Sequence, residues 1–94
     1  MDHKPNNEFE RKRIISKGGV VAKSKDKSGK EFGPYRLWNK KMTKPGLSLS
    51  RSLGDGFATT LGCSSEAEIN KYMIYPTDKI LILATDGIFE HLSN

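Results

Sequence analysis

An apolar run, Ile80-Leu81-Ile82-Leu83-Ala84, leads straight into Thr85-Asp86-Gly87-Ile88-Phe89-Glu90, and it constrains the fold more than any other stretch. Pro76, Thr77 and Asp78 form a turn signal before it. The run is short, unbroken and rich in branched residues, which favours a strand covered on both faces over a helix, although periodicity alone does not decide. Such a strand delivers the Asp86 carboxylate at a packed, rigid end, a good position for a metal-binding side chain. Gly87 removes the neighbouring side chain and permits backbone angles closed to other residues. From these residues alone, a plain Asp-Gly turn after a strand is the simpler reading.

A chain of 94 residues with 35% hydrophobic content has little material for a core; a domain of this size buries only about 60–65% of its unfolded surface. The single cysteine, Cys63, cannot form an internal disulfide. That suits a reducing compartment, so a cytoplasmic or nuclear location is expected. No apolar stretch approaches the roughly 20 residues of a membrane span, and the polar N-terminus lacks a signal-peptide pattern.

The net charge of +5 is uneven. Residues 1–45 carry 13 Lys/Arg against 5 Asp/Glu, and residues 46–94 carry 3 against 6. A basic half can attract nucleic acid or acidic lipid. Its aromatics (Phe9, Phe32, Tyr35, Trp38) do not follow the pattern of a single-strand binder, so a solvated basic surface is the expectation and nucleic acid is not an expected partner. A basic nucleic-acid-binding fragment remains a third reading, with affinity that falls steeply in salt.

Asp2 to Pro5 should be extended. Asn6 or Asn7 can cap a helix running to about Lys17, and with Asn7 as the cap Glu10 falls in capping-box spacing. Glu8 and Glu10 near its start and Arg13 and Lys17 near its end complement the helix dipole. Phe9, Ile14 and Ile15 give a narrow apolar stripe, which places the helix on a surface, and Gly18-Gly19 ends it. Val20-Val21-Ala22 reads as a short strand, 23–33 as a polar loop or hairpin turn, and Tyr35 to Trp38 as a second strand. Asn39 to Gly46 is a basic turn. Leu47 to Ser50 alternates like a half-buried strand, residues 57–68 look irregular, and Ile69 to Ile74 reads as a further strand. One helix followed by several short strands means α+β. Ser93 is a helix N-cap type with only Asn94 after it, and Met1 is followed at once by Asp2; the chain reads as a segment of a larger domain.

Several blocks, in order, resemble the type 2C, metal-dependent (PPM-type) protein serine/threonine phosphatases. They are Asp2-His3-Lys4-Pro5 with Glu10, Arg13-Ile14 and Gly18-Gly19; Gly33 to Trp38; Pro45 to Asp55 with its Ser-Arg-x-x-Gly-Asp pattern; Ser65 to Ile69, with Ala67 where proline is usual; and Asp78 to Asn94. The resemblance spans essentially the whole chain. It implies part of a β-sandwich flanked by helices, with residues 1–94 an incomplete domain.

By position, the resemblance makes Asp86 a ligand of a dinuclear Mg or Mn centre. Glu90 stands where many members have Asp at a looser metal site, and its extra methylene changes the reach. No catalytic residue beyond the metal ligand is indicated, and no substrate-binding residue. Arg51 and Asp55 are expected to brace the Ser-Arg turn, and residues 56–66 correspond to a flap beside the active site. His3 and His91 lack a second ligand at useful spacing, and Cys63 lacks the partner of a nucleophile. Two ions in the complete domain activate a water against phosphoserine or phosphothreonine in a phosphoprotein. The family's early Asp-Gly and late Asp-Asn blocks are absent from this sequence. The expectations are therefore a phosphatase segment that is inactive by itself, or alternatively a pseudophosphatase-like binding or regulatory module, and a free chain prone to self-association through unpaired strand edges.

Overall fold

The computed structural model describes residues 2–92. In chain order the elements are helix α1 (Glu8–Ser16), strands β1 (Val20–Lys25), β2 (Glu31–Trp38) and β3 (Pro45–Leu47), and helices α2 (Gly56–Thr60) and α3 (Asp86–Phe89). This is a small α+β unit around one antiparallel sheet of order β1-β2-β3.

Asn7 is the N-cap of α1, but its side chain does not close a capping box. Its Nδ2 donates to the Asp2 carbonyl at 2.8 Å instead, and Glu10 points into the interior. Gly18 ends the helix at φ +84°, and the Gly19 N–H donates to Ile14 O at 2.9 Å. Of the expected apolar stripe only Ile14 is buried; Phe9 is 83% exposed.

β1 and β2 are longer than the sequence suggests, so the 23–33 loop shrinks to a turn between Lys25 and Glu31. Asp26 holds it: Oδ1 accepts from the Ser28 and Lys30 amides, each at 2.9 Å, and from Ser28 Oγ at 2.6 Å. The ladder pairs Val20 with Trp38 through Lys23 with Tyr35, then shifts register to Ser24 with Phe32. Gly33 and Pro34 fall in the gap, where proline has no N–H to offer the ladder and glycine takes φ +73°.

The core is small. Ile14 from α1, Leu37 from β2, Ala58 from α2 and Cys63 are buried, with Val21, Leu47 and Leu61 packed against them. Gly62 (φ +102°) crosses α1 so closely that a Cβ there would stand 2.5 Å from Ile14 Cα. Trp38 lies over Gly46, and its Nε1 donates to Ala22 O at 2.9 Å.

Three strand expectations fail. Only Pro45–Leu47 pairs as β3; Ser50 turns away and its carbonyl receives the Ser64 amide at 3.1 Å. Ile69 to Ile74 forms no strand, and Ile80 to Ala84 is an exposed, irregular segment, with Ile80 82% and Leu83 86% exposed. The physical reason is common to both. A strand exists only against a partner ladder, and among the described residues no element pairs with either segment. The radius of gyration, 16.4 Å, exceeds the roughly 13 Å of a compact domain of this length, as an arm outside the core requires. Ser93 and its capping role lie outside the described residues.

Candidate functional site

Asp86 is the first residue of α3, not the end of a strand, and Thr85 is its N-cap. Glu90 is the C-cap, and its N–H donates to Asp86 O at 2.9 Å. One helical turn therefore stacks the two predicted carboxylates on one face. Both residues are exposed. Among the described residues no group of three or more His, Cys, Asp or Glu side chains could hold a metal ion.

The acidic centre of the fold lies elsewhere. The Glu10 side chain is buried between α1 and the 50–51 turn, and both of its oxygens are engaged. Oε1 accepts from Arg51 Nε at 2.7 Å and Ser50 Oγ at 2.9 Å. Oε2 accepts from Arg13 Nη1 at 2.6 Å and Arg51 Nη2 at 3.2 Å. Arg13 also donates to the carbonyls of Gly62 and Ser50, each at 2.8 Å. Burial alone would raise the Glu10 pKa; hydrogen bonds from Arg51, Arg13 and Ser50 outweigh it and hold the carboxyl at about 2. A carboxylate this committed to two guanidinium groups is a structural lock.

Arg51 thus braces its turn, as the sequence indicates, and its Nη1 also donates to Glu66 O at 3.2 Å. Asp55 is the N-cap of α2, with its carbonyl accepting from the Thr59 amide and hydroxyl, both at 2.9 Å. Helix α2 gives residues 57–60, expected to be irregular, a regular form. His3 Nε2 lies 2.6 Å from Glu68 Oε2, and this contact, more than any other cause, lowers the Glu68 pKa. No tertiary hydrogen bond of the described residues ties the chain down after this pair. His91 is exposed, and Cys63 is buried, which raises its thiol pKa.

Sequence reasoning missed the Glu10 hub because capping-box spacing offered a local use for the same residue. The Glu10–Arg13 spacing was visible; the partners at 50 and 51 were not, since nothing local joins positions 41 residues apart.

The family model for protein phosphatase 2C matches residues 1–94. The chain belongs to the protein phosphatase 2C family. Among its curated relatives, probable protein phosphatase 2C 48 of Oryza sativa subsp. japonica is 37% identical over 94 residues, covering 100% of this chain and 26% of the relative. Probable protein phosphatase 2C 34 of Arabidopsis thaliana is likewise 37% identical over 94 residues, covering 100% of this chain and 25% of the relative. The chain spans about a quarter of the length of these relatives. No solved structure matches it.

The Mg or Mn centre that the family implies does not fit the described residues taken alone. A hard divalent cation takes about six or more oxygen ligands, and Asp86 with Glu90 offers two carboxylates on an exposed turn.

Proposed function

We propose that this chain is a segment of a protein serine/threonine phosphatase domain, and that the activity is that of the whole domain. The observation that carries this is the match of all 94 residues to the family together with their span of about a quarter of each relative. In this reading residues 1–94 contribute helix and strands to a β-sandwich flanked by helices. The remaining Mg- or Mn-binding residues come from blocks outside the segment. Asp86 supplies one metal ligand and Glu90 lies at the looser site.

The substrate is a phosphoserine- or phosphothreonine-bearing protein in the cytoplasm or nucleus. No described helix is long and apolar enough to cross a membrane. Within the segment, the chain's own residues have a positioning task. The Glu10 lock and the His3–Glu68 contact fix where the polypeptide leaves the core on its way to Asp86.

The free chain is expected to be inactive, because a hard divalent cation takes about six oxygen ligands and Asp86 with Glu90 brings only two carboxylates. It is also expected to self-associate, since Ile80, Leu81, Ile82 and Leu83 are all exposed.

Two assays test the reading. The 94-residue chain with Mn²⁺ and a phosphopeptide should show no turnover; contaminant-free hydrolysis would overturn the claim of inactivity. The same 94 residues, exchanged for their counterpart in the rice relative, should give a Mn²⁺-dependent phosphatase that Asp86→Ala slows by at least about a hundredfold. A folded but inert chimera would favour the pseudophosphatase-like binding module.

A further inference from the structure

From Phe32 to Gly54 the sequence contains no acidic residue, yet it carries Arg36, Lys40, Lys41, Lys44 and Arg51. Arg51 is committed to Glu10. The other four cluster where β2 turns into β3. The turn is built, not slack: the Asn39 amide donates to Lys44 O at 2.7 Å, Asn39 Oδ1 accepts the Thr43 amide at 2.9 Å, and Asn39 Nδ2 donates to Thr43 Oγ1 at 2.9 Å. Met42 is held at φ +56° within it. Lys40 and Lys41 are exposed on this turn, and neither has an acidic partner among the described residues.

Beside the turn lies a groove of about 450 Å³ between β3 and the start of α2. Arg36 and Gly46 line one wall, with Arg36 Nη1 donating to Gly46 O at 2.8 Å; Asp55 and Phe57 line the other. Lys44 Nζ sits 4.8 Å from the centre of the Phe57 ring. Asp55 is the one acidic residue among the lining residues, against Arg36 in the groove, Lys44 over the Phe57 ring, and Lys40 and Lys41 on the turn that leads into β3.

We infer that this groove and turn dock an acidic peptide segment of a protein partner. The charge selects an anionic occupant. The size admits a few side chains and not a duplex. Lys44 Nζ stands over one face of the Phe57 ring, which stays 45% exposed, and Trp38 is packed on Gly46, so the groove has one open ring face and not the row of stacking aromatics that single-stranded nucleic acid uses. The inference rests on the phosphatase reading only in identifying that partner as a substrate, with acidic residues flanking the phosphorylated one.

The opposite turn of the sheet provides an internal control. Lys25, Lys27 and Lys30 lie at the other end of β2, about 25 Å away for a strand of this length and several Debye lengths at physiological salt.

Anisotropy of a labelled Glu/Ser peptide with the 94-residue chain is the test, because it needs no turnover and so separates this inference from the phosphatase reading. Lys40→Glu/Lys41→Glu/Lys44→Glu should weaken binding about tenfold, and about 0.3 M salt should weaken the parent chain's binding strongly. Lys25→Glu/Lys27→Glu/Lys30→Glu, with the same change in net charge, should stay within about twofold. Equal losses in both variants, no binding by the parent chain, or tighter binding to a DNA of equal charge would each overturn the proposal. If the triple variant does not fold by circular dichroism, Lys40→Ala/Lys41→Ala is read in its place, with about a threefold loss expected.

Discussion

The Glu10 carboxylate lies 2.7 Å from Arg51 Nε, joining the first helix to a turn 41 residues later. Ser50 and Arg13 complete the cluster, and no buried side-chain polar atom is left without a partner among the described residues. Desolvating a carboxylate is costly, so its worth depends on that full set of donors.

Glu10→Gln should therefore destabilise the chain by more than a surface substitution. Losing one partner of a buried pair costs about 3–5 kcal/mol. Arg13 and Arg51 keep 28% and 24% of their side-chain surface exposed, and water screening discounts the figure to about 2 kcal/mol. The thermal midpoint should fall by roughly 10 °C; a shift below about 2 °C would refute the role of hub.

The same carboxyl sets an acid limit. Its folded pKa of about 2 lies below the ordinary 4.5, so its stabilisation is complete above pH 4.5 and is lost as pH falls from there toward 2. Urea midpoints measured at neutral pH and near pH 3 should differ less in Glu10→Gln than in the parent chain. An unchanged difference would assign the acid sensitivity elsewhere.

Gly62 combines φ +102° with a close approach to Ile14 Cα, so Gly62→Ala both strains the backbone and pushes α1 off the core. The expected loss is about 2–3 kcal/mol. Gly54 has φ +80° but open space around it, and Gly54→Ala should cost only about 1 kcal/mol. Equal losses in urea melts would contradict this packing.

Asp26→Ala removes the acceptor that receives the Ser28 and Lys30 amides. Hydrogen exchange at those two amides should accelerate, while amides of α1 keep their protection. Asp26→Asn retains the acceptor oxygen and should behave like the parent chain.

The Cys63 thiol is buried, and burial foremost, with Asp55 nearby, pushes its pKa up. A disulfide reagent at neutral pH should label it slowly in the native chain and rapidly in urea. Fast native labelling would mean that the loop after α2 opens.

Local chemistry made α1 and its Gly18 stop readable from residue types, because each depends on neighbours a few positions away; β1 and β2 were readable only at residues 20–22 and 35–38, since their full length comes from the ladder that joins Val20 to Trp38. The family was readable for another reason: ordered blocks from Asp2-His3-Lys4-Pro5 to Asp86-Gly87 keep their spacing whether or not the chain folds. Residues 69–74 and 80–84 have strand composition, but composition is not a ladder, and no described element offers them one. Asp86 therefore stands on an exposed helical turn, and Glu10, a plausible cap by spacing, became the buried hub. Both outcomes depend on contacts between distant positions, which chain order does not encode locally and packing alone selects.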